Sequence, residues 1–118
     1  MKKIIIAGSR DFNDYEFLKK KLVNLRDLFI DDDVIISGHA RGADALGERF
    51  AKEYNIPLKL FPADWNKYGK SAGYIRNKEM ADNADVLVAF WDGKSRGTKN
   101  MINIAIDKGL EVHIVRYA

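Results

Sequence analysis

The stretch Lys3-Ile4-Ile5-Ile6-Ala7-Gly8-Ser9-Arg10 decides how the rest of the chain reads. Apolar side chains follow one another without alternation, then give way at once to a glycine, a hydroxyl and a guanidinium. A strand that is apolar at every residue is buried on both faces, which implies a parallel sheet covered by helices. The same pattern recurs along the chain. Val34-Ile35-Ile36 leads into Gly38-His39-Ala40-Arg41-Gly42-Ala43-Asp44, and Leu58-Lys59-Leu60-Phe61 is followed by Ala72-Gly73-Tyr74-Ile75-Arg76-Asn77. Val86-Leu87-Val88 leads into Asp92-Gly93-Lys94-Ser95-Arg96-Gly97-Thr98, and a fifth run spans Val112 to Val115 around His113.

Helical periods fill the intervals. Asn13 and Glu16 stand at capping-box spacing and Phe12 with Phe17 at that of a hydrophobic staple. Leu18, Leu22, Leu25 and Phe29 continue that helix until Asp31-Asp32-Asp33 turns the chain back. Ala43, Leu46, Phe50 and Tyr54 form a second stripe, while Ile75, Met80 and Ala81 belong to a third. A fourth helix begins near Gly97, carries Met101, Ile102, Ala105 and Ile106, and stops at Gly109. The segment from Pro62 to Asn77 reads as a long polar loop of the kind that carries function. The expected fold is α/β: a Rossmann-like, doubly wound, five-stranded parallel sheet with helices on both faces.

Composition bounds the function. At 118 residues the chain is expected to be one domain, 1–118. No run approaches the roughly 20 apolar residues of a membrane span, and no apolar leader precedes the first strand, so no membrane partner is expected. With no cysteine, thiolate metal sites are excluded and a cytoplasmic location is the simplest expectation. The two histidines, His39 and His113, are far apart in sequence, so neither a metal nor a cofactor is expected. A net charge of +3 permits nucleic acid without favouring it, and a homo-oligomer is compatible with the sequence.

In a parallel sheet the turns after the strands share one edge, so their residues converge. Gly8, Ser9 and Arg10 supply the first turn. The dinucleotide fingerprint and the phosphate-loop signature are both missing there, and a solvent-facing Arg10 is the plain alternative. Gly38, Ala40, Arg41, Gly42 and Asp44 supply the second, where a helix N-terminus faces the ligand and Asp44 either caps that helix or accepts a ribose hydroxyl. Trp65, Gly73, Arg76 and Asn77 come from the third segment. Trp65 either stacks on a base or anchors its loop, and Arg76 meets phosphate or solvent. Asp92, Gly93, Ser95, Gly97 and Thr98 form the fourth, read as an anion nest rather than a plain cap. Asp92 and Asp44 are the candidate acid–base carboxylates. Together these groups predict a small-molecule, nucleotide-type ligand.

Taken in order, Gly-Ser-Arg, Gly-x-Ala-Arg-Gly-Ala-Asp, Ala-Gly-x-x-Arg-Asn and Trp-Asp-Gly-x-Ser-x-Gly-Thr resemble the SLOG superfamily, most closely its small YspA/cpYpsA-related branch. The resemblance runs from Ile4 to about Ile114. It implies a Rossmann-like fold and a sensor, carrier or sequestering role for a nucleotide-derived ligand. Related branches imply two alternatives, phosphoribohydrolase activity of LOG type and single-stranded DNA binding of DprA type. LOG hydrolases carry a lysine after the third-motif arginine and a glutamate three residues after the fourth-motif threonine. Here Asn77 and Met101 occupy those positions. Methionine neither stabilises an oxocarbenium ion nor activates water, as a glycosidic cleavage requires of its carboxylate.

Overall fold

Ile4, Ile5 and Ile6 are fully buried in β1 (Lys3–Gly8), the middle strand of a five-stranded parallel sheet. The computed structural model describes residues 2–25 and 33–117. Around β1 lie β2 (Val34–Ser37), β3 (Leu58–Leu60), β4 (Val86–Trp91) and β5 (Glu111–Arg116), in the order β3-β2-β1-β4-β5. Every neighbouring pair is parallel, with Ile5 opposite Ile36 on one side and Leu87 on the other. The sequence of β1 and β4 dictates this centre, because only a two-faced cover removes an unbroken apolar strand from water.

The cover is α1 (Tyr15–Asn24) and α2 (Ala43–Glu53) on one face, with α4 (Ala72–Asp82) and α5 (Arg96–Asp107) on the other. Leu18 and Leu22 of α1 and Phe50 of α2 pack with Ile4, Ile6 and Val88. Met80 of α4 and Met101 and Ala105 of α5 pack with Ile5, Leu87 and Ala89. Successive residues of one strand thus feed opposite cores. Each fully buried isoleucine contributes roughly 1.5–3 kcal/mol on this reading.

Three expectations change. The cap of α1 is Asp14, whose Oδ1 accepts the Phe17 amide at 3.1 Å, so Asn13 lies one residue outside the helix. Phe12 and Phe17 do meet, edge to face with ring centres 6.1 Å apart, while Phe12 also stacks on Phe90. Within the described residues α1 ends at its C-cap Leu25, and Phe29, Asp31 and Asp32 lie outside them. β5 is apolar yet half-exposed because it is an edge strand, with Ile114 45% exposed. Finally, the third polar segment is not a loop. Asp64 caps a short α3 (Trp65–Tyr68), a 3-10 turn over Gly69–Ser71 follows, and Ala72 already opens α4.

Candidate functional site

β1 and β4 are neighbours, but β1 continues toward β2 and β4 continues toward β5. At such a switch point the connections diverge and leave a crevice at the strands' carboxyl ends. Gly8 lies there, against the Phe90 carbonyl. A Cβ on Gly8 would collide with that carbonyl oxygen and approach the Ala43 Cβ to 2.8 Å. The next residue joins three elements. The Ser9 amide donates to Phe90 O at 3.1 Å, and its carbonyl accepts from the Phe12 and Ala43 amides, each at 3.2 Å. The Ser9 hydroxyl is buried close to both Asp92 and Tyr117 and favours the charged form of each.

The crevice is a cleft of about 720 Å³, a size suited to a small molecule. Ala7, Met80 and Met101 give it apolar walls, and Ser9, Ser95 and Thr98 bring hydroxyls. A second recess of about 440 Å³ adjoins it, lined by Gly38, His39, Pro62 and Ala63. The two share Arg10, Ala40, Arg41, Trp65 and Arg76.

Three guanidinium groups therefore stand where the recesses meet. Arg10 lies over the exposed Trp65 ring, 5.7 Å from its centre. Arg41 is exposed beside the start of α2. Arg76, on α4 rather than in a turn, is half-buried. Its Nη1 donates to the Gly38 carbonyl at 2.5 Å and its Nε to Asn77 Oδ1 at 3.1 Å. Among the described residues none of the three pairs with a carboxylate within 4 Å.

The carboxylates differ sharply. Asp44 is buried and accepts the Ala40 amide at 3.2 Å. Burial pushes its pKa up to about 6, against the pull of that amide and of Arg76. Asp92 instead accepts the Lys94 and Ser95 amides, both at 2.8 Å, and these hold it below the usual carboxylate range. Asp92 thus occupies part of the nest that the sequence offered to a ligand. Ser95 caps α5 by accepting the Thr98 amide at 3.4 Å. The helix start leaves the Arg96 and Gly97 amides without intrahelical acceptors. Gly97 lines the cleft, and a Cβ there would meet no atom within 4 Å.

The remaining glycines divide. Gly73 lines the cleft from the first turn of α4, and Gly38 lines only the second recess. Gly42 and Gly93 line neither. Gly42, at φ 79°, packs its Cα on the Ser9 and Arg10 carbonyls, and Gly93 packs on the Arg116 guanidinium. Asn77 is buried, and its Nδ2 donates to Asn100 Oδ1 at 3.0 Å and Gly97 O at 3.3 Å, so it ties α4 to α5 while lining the cleft. The cleft is also lined by Ala7, Asp11, Lys70, Tyr74, Met80 and Met101, none of which the sequence placed in the site. Met80 lies on the same helix face as Gly73 and Asn77, so extending the site along that face at helical spacing is the signal that reaches it. His39 pairs with Glu48 and His113 with Glu111, and no metal-ligand cluster occurs among the described residues. No helix among them is long and apolar enough to cross a membrane.

Residues 2–68 match the YspA, cpYpsA-related SLOG family. The chain is 35% identical over 118 residues to the Gene 61 protein of Mycobacterium phage D29, covering 95% of this chain and 94% of that protein. Its fold matches the solved structure of DNA processing protein A (DprA) from Streptococcus pneumoniae, with a TM-score of 0.76 at 16% identity. That match covers 99% of this chain and 50% of DprA, so the chain spans about half of that protein's length. Sequence and fold agree: the chain belongs to the YspA, cpYpsA-related SLOG family.

Proposed function

We propose that this protein binds a nucleotide or nucleotide-derived ligand in the cleft at the carboxyl edge of its sheet, as a sensor, carrier or sequestering domain. The observation that carries the reading is the set of Arg10, Arg41 and Arg76 around the cleft, none paired among the described residues with a carboxylate within 4 Å. Guanidinium groups outside any ion pair favour an anion, with phosphate best matched to their fork geometry. The exposed face of Trp65 offers a stacking surface, and the hydroxyls of Ser9, Ser95 and Thr98 suit ribose or phosphate oxygens.

Mass spectrometry of small molecules released from the purified protein should find a phosphate-bearing nucleotide. Arg41→Ala should weaken its binding by roughly 1.5–3 kcal/mol in calorimetry, the worth of a hydrogen bond to a charged group. Arg41 is the cleaner probe than Arg76, whose guanidinium also holds the Gly38 carbonyl. Equal affinity of wild type and Arg41→Ala would remove Arg41 from the site, and a protein that retains and binds no nucleotide would defeat the reading.

One observation favours a hydrolytic alternative: Asp44 is a buried carboxyl at the cleft with its pKa raised to about 6, suited to proton transfer near neutrality. Asp92, held ionised by two amides, suits that task less well. The binding reading expects a nucleoside monophosphate to survive long incubation unchanged. Release of free base by wild type, lost in Asp44→Asn, would establish the hydrolase instead.

A further inference from the structure

We infer that the ligand is two-headed: a dinucleoside phosphate whose anionic bridge lies against Arg10, Arg41 and Arg76, with one nucleoside in each recess. The inference rests on the nucleotide-binding reading and concerns where the charge sits. A mononucleotide carries its phosphate at one end, so a site built for it places positive charge at the end of a single pocket. Here all three guanidiniums belong to the wall shared by two recesses, about 720 Å³ and about 440 Å³ in volume. Charge in the middle and a cavity on either side match a ligand whose charge is internal.

The two cavities also differ in the way two nucleoside ends require. The larger one offers hydroxyls from Ser9, Ser95 and Thr98. The Ser9 hydroxyl is buried beside Asp92 and Tyr117, so one of these polar groups is fixed in place. The smaller recess has Pro62 and Ala63 of its own and shares the Trp65 ring with the larger, which are surfaces for a base rather than for an anion. Its other wall is fixed. His39 stands at φ 58° with its amide donated to Ser37 Oγ at 3.1 Å and its ring held by Glu48. A non-glycine residue kept in that region by two partners marks a wall set in place rather than a free turn. Arg10 and Trp65, both exposed, are the side chains free to part over the seam.

Calorimetry on the full chain with the four ribonucleoside monophosphates, their four symmetric dinucleoside diphosphates and a short oligothymidylate tests this. At least one dinucleoside diphosphate should bind about tenfold or more tightly than its monophosphate. Ala63→Trp, which fills the smaller recess, should abolish that advantage and leave monophosphate binding intact, whereas Gly97→Val should weaken both. Equal binding of a monophosphate and its dinucleoside diphosphate would overturn the two-headed ligand and leave nucleotide binding standing. An advantage that persists in Ala63→Trp would overturn it too. Failure of all eight nucleotides would overturn both readings, and tighter binding of the oligothymidylate would assign the cleft to single-stranded nucleic acid. The wild-type comparison decides the question even if a variant does not fold.

Discussion

Asp44 is the residue whose environment departs furthest from what its position alone suggests. An aspartate in the first turn of a helix is ordinarily ionised and favourable there. This one is buried, and its pKa rises from 3.8 to about 6. The folded carboxyl therefore holds its proton more tightly than the unfolded one, so stability falls as pH rises between those values. The penalty, about 3 kcal/mol, is complete above the folded pKa and absent below the unfolded one. Asp44→Asn carries no such penalty. Urea denaturation should show wild type gaining about 2.4 kcal/mol on the variant between about pH 7 and about pH 4. A difference independent of pH would show that Asp44 titrates normally. Arg76 favours the carboxylate, so Arg76→Ala should move the Asp44 midpoint further up, read by carboxyl-carbon NMR. The sequence placed Asp44 at the correct turn but gave no hint of its burial. Depth is set by Ser37 and Gly38 packing beside it, residues that carry no charge of their own.

Among elements, the strands were legible and the start of α4 was not. Unbroken apolar runs such as Val86 to Phe90 admit one environment, two-faced burial, and the structure supplies it. α4 buries only Ala72, Asn77, Met80 and Ala81, a narrow stripe with a polar residue at its centre, so its period is faint in the sequence. The α1 cap shows another limit. Asn13 and Asp14 are equally good cap residues, and Glu16 at capping-box spacing pointed to the wrong neighbour. Asn77 is poor helix material whose reason is structural as well as positional, since it accepts from Arg76 and donates to Asn100 and Gly97 across to α5. Asn77→Ala would leave those groups without it and should cost roughly 1–3 kcal/mol in urea denaturation. A cost near zero would mean that α4 and α5 hold together on Met80, Met101 and Ala105 alone. The Arg96 to Gly97 start of α5 was legible, but not that Asp92 would fold back on the amides just before it.

At the scale of the molecule, the cleft is not a property of any one segment. Ser9 comes from the first strand's turn, Asp44 from the second helix, Arg76 from the fourth and Ser95 from the start of the fifth. They meet only because β1 pairs with β4, Gly8 opposite Phe90, across most of the chain's length. Strand order decides this, and the recurrence of apolar run and polar turn disclosed it in outline. What it withheld was which turn residues face the cleft and which, like Gly42 and Gly93, serve only to bring backbone together. The three-way joint at Ser9, shared by β4, the α1 approach and α2, has a thermal consequence. No fragment that lacks any of those parts contains the site, so occupancy is linked to the global melting transition rather than to a local one. Ligand at about 100 times its Kd should add about 2.7 kcal/mol to unfolding. For a domain of this size that displaces a single cooperative melt upward by roughly 10–20 °C. Calorimetric scans at rising ligand concentration should show one peak that moves without splitting, which makes heat itself the readout of whether the cleft is filled.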